Sequence, residues 1–376
     1  MVNREVPFYF SNAFYFEGDS SPRRDITSLI GIDEEHIKPL SGELLALPQL
    51  QSELTEASAG YQAFFEFQDI LGVSIHEDGS TLLNRHYCYY EAMSYLREYF
   101  TSWIDLNPIA SLTLVRPFLE LALTHIYWFL RCEDEGYRPY EDWLSGKRGK
   151  PNFGQIHDYV FGNLPSRAYV RADRYRNLRD SLKSIYSWSC AYNHTPKVEE
   201  SVVGIRGDRG GVPFTALKYS LSNLNFLLKQ IVFLYVLAYP MMLFPVDRFS
   251  KWAYGGVLGV FVDRVCASTI KAYLGEKSYA SLRDQLGSME EVTELLNWYH
   301  SQPEMTSEQQ DEHWVRMRTE SQIKSNPDEI YKRLTLHKSY IRGVNWHINY
   351  IHDPPDISMF PDVAVDHMSE NLKEWD

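Results

Sequence analysis

Two charged residues, Arg116 and Glu120, stand four positions apart in a long apolar segment, Ile109–Arg131. Side chains at this spacing are neighbours on a helix, so the guanidinium and the carboxylate can pair. Because an unpaired buried charge is strongly destabilising, we expect both to be mostly buried and paired with each other or with a neighbouring helix. Such a pair is either a structural ion pair or part of a charged cleft, since perturbed charges also mark functional sites. Pro117 removes a helical hydrogen bond to the carbonyl of Thr113, and a kink there would widen access.

A basic run forms the second candidate site. Between Lys147 and Lys183 the sequence has nine Lys or Arg residues against three Asp or Glu residues. The cations predicted to contact nucleic acid are Arg171, Arg174, Arg176, Arg179 and Lys183. The last three share a helix face, which is either an ordinary solvated face or a surface that follows phosphates. His194 follows this helix, where the helix dipole favours its charged form, and with Arg116 and Glu120 it makes up the predicted catalytic set.

A third pattern is Arg342 followed five residues later by His347. An arginine that holds a phosphate and a histidine that acts as general acid or base can cleave RNA without a metal. A match this loose is expected by chance in a chain with 12 His, so Arg342 and His347 are an alternative catalytic pair.

Several motifs of known enzyme classes are absent from the sequence. The chain has no G-x-x-x-x-G-K-[ST] phosphate loop, no dinucleotide-binding fingerprint and no G-x-S-x-G nucleophile elbow. Its histidines include no H-E-x-x-H motif and no helical i,i+4 pair suited to a metal. The sequence therefore predicts neither a cofactor nor a metal site.

Composition points to a soluble, cytoplasmic protein. The formal net charge of −13 gives an average field that repels nucleic acid and anionic membranes. No C-x-x-C pair occurs, and widely spaced free thiols fit a reducing cytoplasm; they are Cys88, Cys132, Cys190 and Cys266. The most apolar stretch, Ile231–Phe244, is shorter than the roughly 20 residues that a bilayer needs, so we expect a buried core helix and no membrane span.

Hydrophobic periodicity predicts helices over most of the chain. One helix face is formed, at steps of three and four residues, by Tyr89, Met93, Leu96, Phe100 and Trp103. Ile109–Arg131 should be a central helix surrounded by others. Further helices are expected from Leu44 towards Phe65, over Arg167–Cys190, over Thr215–Tyr239 and from Leu258 to Gly275, whereas Glu133–Pro165 is polar and loop-rich.

The predicted fold class is all-α, a multi-helix bundle with a small β-hairpin near Val202–Thr215 and minor N-terminal strands in the aromatic runs Phe8–Phe10 and Phe14–Phe16. A chain of 376 residues is long for one core. We predict a mixed segment over residues 1–80, a helical bundle over 81–245 and a C-terminal helical region with an acidic tail over 246–376.

The order of elements from about Thr81 to Pro240 resembles the HEPN superfamily, specifically its outlying bacterial HEPN-like members. The residues that carry the resemblance are Leu114–Glu120, with its Arg-x-x-x-Glu, and Tyr186–His194. The resemblance implies a helical bundle that is often dimeric and often linked to RNA or to defence against phage. The catalytic signature of that superfamily is an Arg, four to six intervening residues and then a His. The Arg before His194 would therefore stand at position 187, 188 or 189, but these positions hold Ser187, Trp188 and Ser189. The domain is therefore either catalytically inert, or another arginine reaches His194 in space.

Two functions from different classes follow. One is an RNA-directed protein, such as a metal-independent ribonuclease or a defence effector. The other is a non-enzymatic helical scaffold that binds a protein partner. The sequence leaves open whether the protein is an enzyme.

Overall fold

A computed structural model describes residues 47–71, 86–136, 138–194, 214–246, 262, 264–306 and 308–309. Over these residues the chain is largely helical and holds no β-strand, which confirms the all-α prediction. The predicted N-terminal strands lie outside the described residues, as does the hairpin near Val202 apart from Phe214 and Thr215, which begin a helix.

The helices are named here in chain order. They are α1 Pro48–Phe65, α2 Phe67–Leu71, α3 Tyr87–Ile104, α4 Pro108–Glu135, α5 Arg138–Leu144, α6 Phe153–Asn163, α7 Ala172–His194, α8 Phe214–Ala238, α9 Arg264–Leu274, α10 Glu276–Leu286 and α11 Glu290–Ser301. Two short 3₁₀ helices cover Pro165–Ala168 and Pro240–Leu243.

Helices α3 and α4 form an antiparallel pair. The predicted stripe of α3 is buried, with Met93 half-buried. The turn between the helices contains Leu106 at a φ of 59°, a left-handed conformation that is unusual for leucine. Asn107 then caps α4 by accepting a hydrogen bond from the backbone nitrogen of Ala110 at 3.1 Å. The Ser111 hydroxyl donates to the Tyr99 carbonyl at 3.1 Å and joins the two helices.

Helix α4 lies at the centre of the bundle, as its nearly continuous apolar sequence predicts. It packs against α3, α5, α6, α7 and α8, and it runs unbroken through Pro117. Helices α7 and α8 are antiparallel, because Trp188 meets Tyr219 near one end and Arg174 lies over Phe233 near the other.

One hydrophobic core joins α1 to the later helices. The Asn225 amide of α8 donates to the Glu53 carbonyl of α1 at 2.9 Å, and Tyr279 of α10 donates to the Leu243 carbonyl at 2.9 Å. These contacts cross the proposed boundaries at residues 80 and 245, which stay predictions.

The segment Glu133–Pro165, predicted to be polar and loop-rich, contains the two helices α5 and α6. Although the segment is polar, two of its aromatic residues pack against the bundle. The ring centres of Tyr140 and Trp143 each lie 5.5 Å from that of Trp128 of α4. A reciprocal capping box between Asn152 and Gln155 then begins α6.

Helix α8 contains the one stretch in the described part of the chain that is long and apolar enough to cross a membrane by length and composition. This stretch is Leu217–Ala238, with 22 residues and a mean hydropathy of 1.5 in its most apolar window. Since 72% of that window is buried in the bundle, the stretch equally fits the core helix of a soluble protein.

Candidate functional site

The predicted pair of Arg116 and Glu120 is formed on α4. The Arg116 Nε donates to Glu120 Oε1 at 2.8 Å, and Lys150 Nζ lies 3.1 Å from the second carboxylate oxygen. The Arg116 and Glu120 side chains are 26% and 19% exposed, so the pair is partly buried but is not sealed from water. The pair lies at the surface of the bundle, where water reaches it, so removing Glu120 should destabilise the protein by less than the about 3–5 kcal/mol typical of a fully buried pair.

Electrostatics around Glu120 favour its ionised form. Burial by itself raises the pKa of the carboxyl group. Hydrogen bonds from Arg116 and Lys150 outweigh that effect and hold the pKa of Glu120 below its ordinary value. The hydrogen bond to Glu120 in turn raises the pKa of Arg116. At neutral pH the cluster therefore carries two cations on one carboxylate.

Tyr186 links this cluster to α7. Arg116 Nη2 donates to the Tyr186 hydroxyl at 3.2 Å, and its guanidinium carbon lies 5.2 Å from the centre of the tyrosine ring. Phe153 of α6 stacks on Tyr186 with ring centres 3.6 Å apart and planes 2° from parallel. The predicted α4 site and the C-terminal part of α7 therefore belong to one surface.

Three of the five predicted cations share one flank of α7, here called the basic flank. Arg176, Arg179 and Lys183 are exposed. Helix α7 continues unbroken to His194. Position 194 therefore lies about five helical turns, or roughly 27 Å, beyond position 176 along the helix axis. After five full turns the two positions point in the same direction around the axis. The helix therefore places the backbone of His194 at the far end of the basic flank.

Arg171 and Arg174, which were also predicted to contact nucleic acid, do not belong to the basic flank. Arg171 precedes α7 and pairs with Asp173 at 2.8 Å. Arg174 is half-buried with its guanidinium carbon 4.5 Å from the centre of the Phe233 ring, and burial lowers the pKa of Arg174. The reason is helical register, since positions 174 and 176 are roughly 200° apart around the axis.

His157 was not predicted, and it supports the basic flank from beneath. It is 2% exposed on α6, and its Nε2 lies 3.0 Å from the Arg179 carbonyl of α7. Arg179 Nη2 donates a hydrogen bond to the Asp158 carboxylate at 3.1 Å. Hydrogen bonds from His157 and Arg179 lower the pKa of Asp158. The His157 imidazole is too buried to reach a polymer, so its role is to join α6 to α7.

A second cluster that was not predicted lies inside the bundle. His86 Nδ1 is 3.1 Å from His125 Nε2, and His125 Nδ1 is 3.1 Å from the Tyr235 hydroxyl. A cavity of about 10 Å³, the size of one water molecule, adjoins the pair. It is lined by His86, His125, Trp128, Phe129, Cys132 and Tyr140. His125 lies 39 positions from His86 and 110 positions from Tyr235 in the sequence, and no sequence motif connects these residues.

The remaining predicted residues are not brought together in the described part of the chain. Arg342 and His347 lie outside it, and at position 194 only the backbone is described. Among the described residues no group of three His, Cys, Asp or Glu side chains could hold a metal ion. Comparison with protein-family models, curated proteins and solved structures finds no match to this chain.

Proposed function

We propose that this protein binds RNA through the phosphate backbone, along the basic flank of α7. The observation that carries the proposal is the exposure of Arg176, Arg179 and Lys183 on one side of one helix, in the most basic segment of an acidic chain. Exposed Lys and Arg side chains attract phosphates and release counterions, a term that does not depend on base sequence. The HEPN-like order of elements supports the same function.

The cluster around Arg116 extends this surface towards the end of α7. Arg116 and Lys150 add two cations beside Tyr186, between Lys183 and the position of His194. This extended surface contains five cations and three carboxylates, those of Glu120, Asp158 and the exposed Asp180. The excess of positive charge is small, so we expect affinity to be modest and to fall steeply as salt rises.

Metal-independent RNA cleavage is the enzymatic form of this proposal. His194 would transfer the proton, because imidazole titrates near neutral pH. Arg116 is the candidate arginine from another helix, since it reaches α7 at Tyr186, two turns before position 194. Its guanidinium would hold a phosphate that His194 acts upon.

Reversing two charges on the basic flank should abolish most RNA binding. We expect the Arg176→Glu, Lys183→Glu double variant to bind a single-stranded RNA at least about tenfold more weakly in 0.1 M salt and to show a shallower salt dependence. Lys277→Glu is the matched control, because Lys277 is also exposed but lies on α10. Fluorescence anisotropy over a salt series measures both quantities.

His194→Ala separates binding from chemistry. This variant should keep the RNA affinity of the wild type and lose cleavage, measured on gels with and without added Mg²⁺. Wild-type protein that neither binds nor cleaves RNA, or unchanged affinity after the double charge reversal, contradicts the proposal.

A protein-binding scaffold is the alternative, and one surface feature favours it. On α8, Tyr219 and Phe226 are 44% and 49% exposed and lie seven residues apart on one face. The antiparallel register places Ser181 of α7 opposite Phe226, midway between the contacts at the two ends of the helix pair. A small serine there leaves the phenylalanine ring open, and exposed aromatic rings are common anchors of protein interfaces.

The scaffold function predicts that Phe226→Glu releases a co-purifying protein partner. Burying a carboxylate in an apolar contact is unfavourable, so the partner should be lost while folding, read by circular dichroism, is unchanged. Phe226→Leu, which keeps an apolar side chain, is the control. A partner that stays bound to the Phe226→Glu variant contradicts a role for this surface.

A further inference from the structure

One carboxylate contacts two cations of the extended basic surface at the same time. Glu120 Oε1 accepts a hydrogen bond from Arg116 Nε at 2.8 Å, and Glu120 Oε2 lies 3.1 Å from Lys150 Nζ. Arg116 and Glu120 belong to α4, whereas Lys150 lies in the segment between α5 and α6. Each oxygen of the carboxylate therefore contacts a cation from a different part of the chain.

The Glu120 carboxylate is better held than the other paired carboxylate of this surface. Its side chain is 19% exposed, whereas that of Asp158, which pairs with Arg179, is 69% exposed. Ion pairs that water surrounds are weak, and less exposed pairs are screened less. Although burial raises the pKa of Glu120, hydrogen bonds from Arg116 and Lys150 outweigh that effect and hold the pKa below its ordinary value. The carboxylate is therefore ionised at neutral pH.

A phosphate that binds Arg116 and Lys150 needs the donors that Glu120 uses. Carboxylate and phosphate oxygens both accept strong hydrogen bonds from guanidinium and ammonium groups. A backbone phosphodiester and a carboxylate each carry one negative charge, so exchanging one for the other gains no net charge attraction. Glu120 is part of the same molecule as the cations, which gives it a high effective concentration in this competition.

We propose that Glu120 is a built-in competitor of RNA, which occupies Arg116 and Lys150 until a phosphate displaces it. This inference rests on the proposed binding of RNA along the basic flank. Arg176 and Lys183 of that flank form no ion pair with another described residue. The wild type therefore binds RNA mainly through the basic flank, and Glu120 withholds two further cations.

Asp180 provides a control that carries the same charge on the same surface. It is exposed on α7, four residues after Arg176 and three before Lys183, so it is a neighbour of both on the helix. It forms no ion pair with another described residue. If only the local field mattered, neutralising Asp180 would strengthen RNA binding at least as much as neutralising Glu120, because Asp180 lies between the two exposed cations.

Fluorescence anisotropy with a single-stranded RNA over a salt series tests the competitor. We expect Glu120→Gln to bind RNA about fivefold more tightly than the wild type in 0.1 M salt for each cation that it releases, since each phosphate contact steepens the salt dependence by about 0.7. The amide oxygen of glutamine can still accept from Arg116 Nε. Asp180→Asn should change the affinity by less than about twofold and leave the salt dependence unchanged.

Lys150→Gln gives a second reading that does not depend on whether Glu120→Gln folds. Because Glu120 already occupies Lys150, this variant should weaken RNA binding by less than about twofold, whereas Lys183→Gln should weaken it about fivefold. In the Glu120→Gln background, Lys150→Gln should remove part of the gain. Equal losses for Lys150→Gln and Lys183→Gln in the wild-type background overturn the competitor.

The outcomes distinguish this inference from the proposed function. If the wild type binds RNA through the basic flank but Glu120→Gln binds no more tightly than Asp180→Asn, the competitor is overturned and the RNA-binding function stands. Weaker binding by a folded Glu120→Gln variant, verified by circular dichroism, also overturns it, because Glu120 would then only hold Arg116 in place. If neither the wild type nor Glu120→Gln binds RNA, both proposals fail.

Discussion

The Phe64→Ala variant is expected to be less stable than the wild type by about 3–5 kcal/mol, the usual range for removing a fully buried aromatic ring. Phe64 is 0% exposed, and its ring centre lies 5.1, 5.4 and 5.0 Å from those of Tyr89, Phe118 and Tyr235. These partners come from α3, α4 and α8, so alanine would leave a cavity where four helices meet. Urea unfolding followed by circular dichroism measures the loss.

Phe226→Ala is the control for this experiment. It deletes the same ring from a position that is 49% exposed, so the free energy of unfolding should change by less than about 1 kcal/mol. A Phe64→Ala variant no less stable than Phe226→Ala would show that α1 does not pack in this core.

Gly60→Val is expected to destabilise the protein by about 1–3 kcal/mol through overpacking. A Cβ atom at Gly60 of α1 would lie 2.7 Å from the Tyr273 hydroxyl of α9 and 2.9 Å from Leu228 Cδ1 of α8. Valine adds two methyl groups to that clash, and both neighbours would have to move. The absence of a side chain at this position lets α1 approach two helices at once.

Gly162→Val provides the comparison on α6. A Cβ atom there meets nothing within 4 Å, so the same substitution should leave stability unchanged or raise it by about 0.5 kcal/mol through helix propensity. Thermal unfolding of the two variants side by side measures the difference. Equal effects at the two glycines would contradict the close approach at Gly60.

Local periodicity allowed much of the helical fold to be predicted. The stripe on α3, the apolar length of α4 and the limits of α8 all follow from spacing along the chain. The pairing of Arg116 with Glu120 also follows, since their spacing brings them together on any helix. In each case the interacting residues lie within a few helical turns of one another.

The features that could not be predicted from the sequence are contacts between residues that are far apart in the chain. Lys150 joins Glu120 across 30 positions, and Tyr186 joins Arg116 across 70. The burial of Arg174 depends on Phe233, which no local pattern connects to it. Likewise His86 and His125 form a cluster only after α3 and α4 have packed, so no motif at either residue indicates it.

The long separation between α1 and α8 has a consequence for synthesis on the ribosome. Helices α3 and α4 can pair as soon as both have emerged, but the contact from Asn225 to Glu53 spans 172 residues. At a translation rate of about 5–20 residues per second, roughly 10–30 s pass between the synthesis of α1 and the synthesis of the α8 residues that cover its apolar face. During that interval the nascent chain exposes Leu50 and Leu54 to chaperones, so its yield in cells should depend on how fast the later helices are translated.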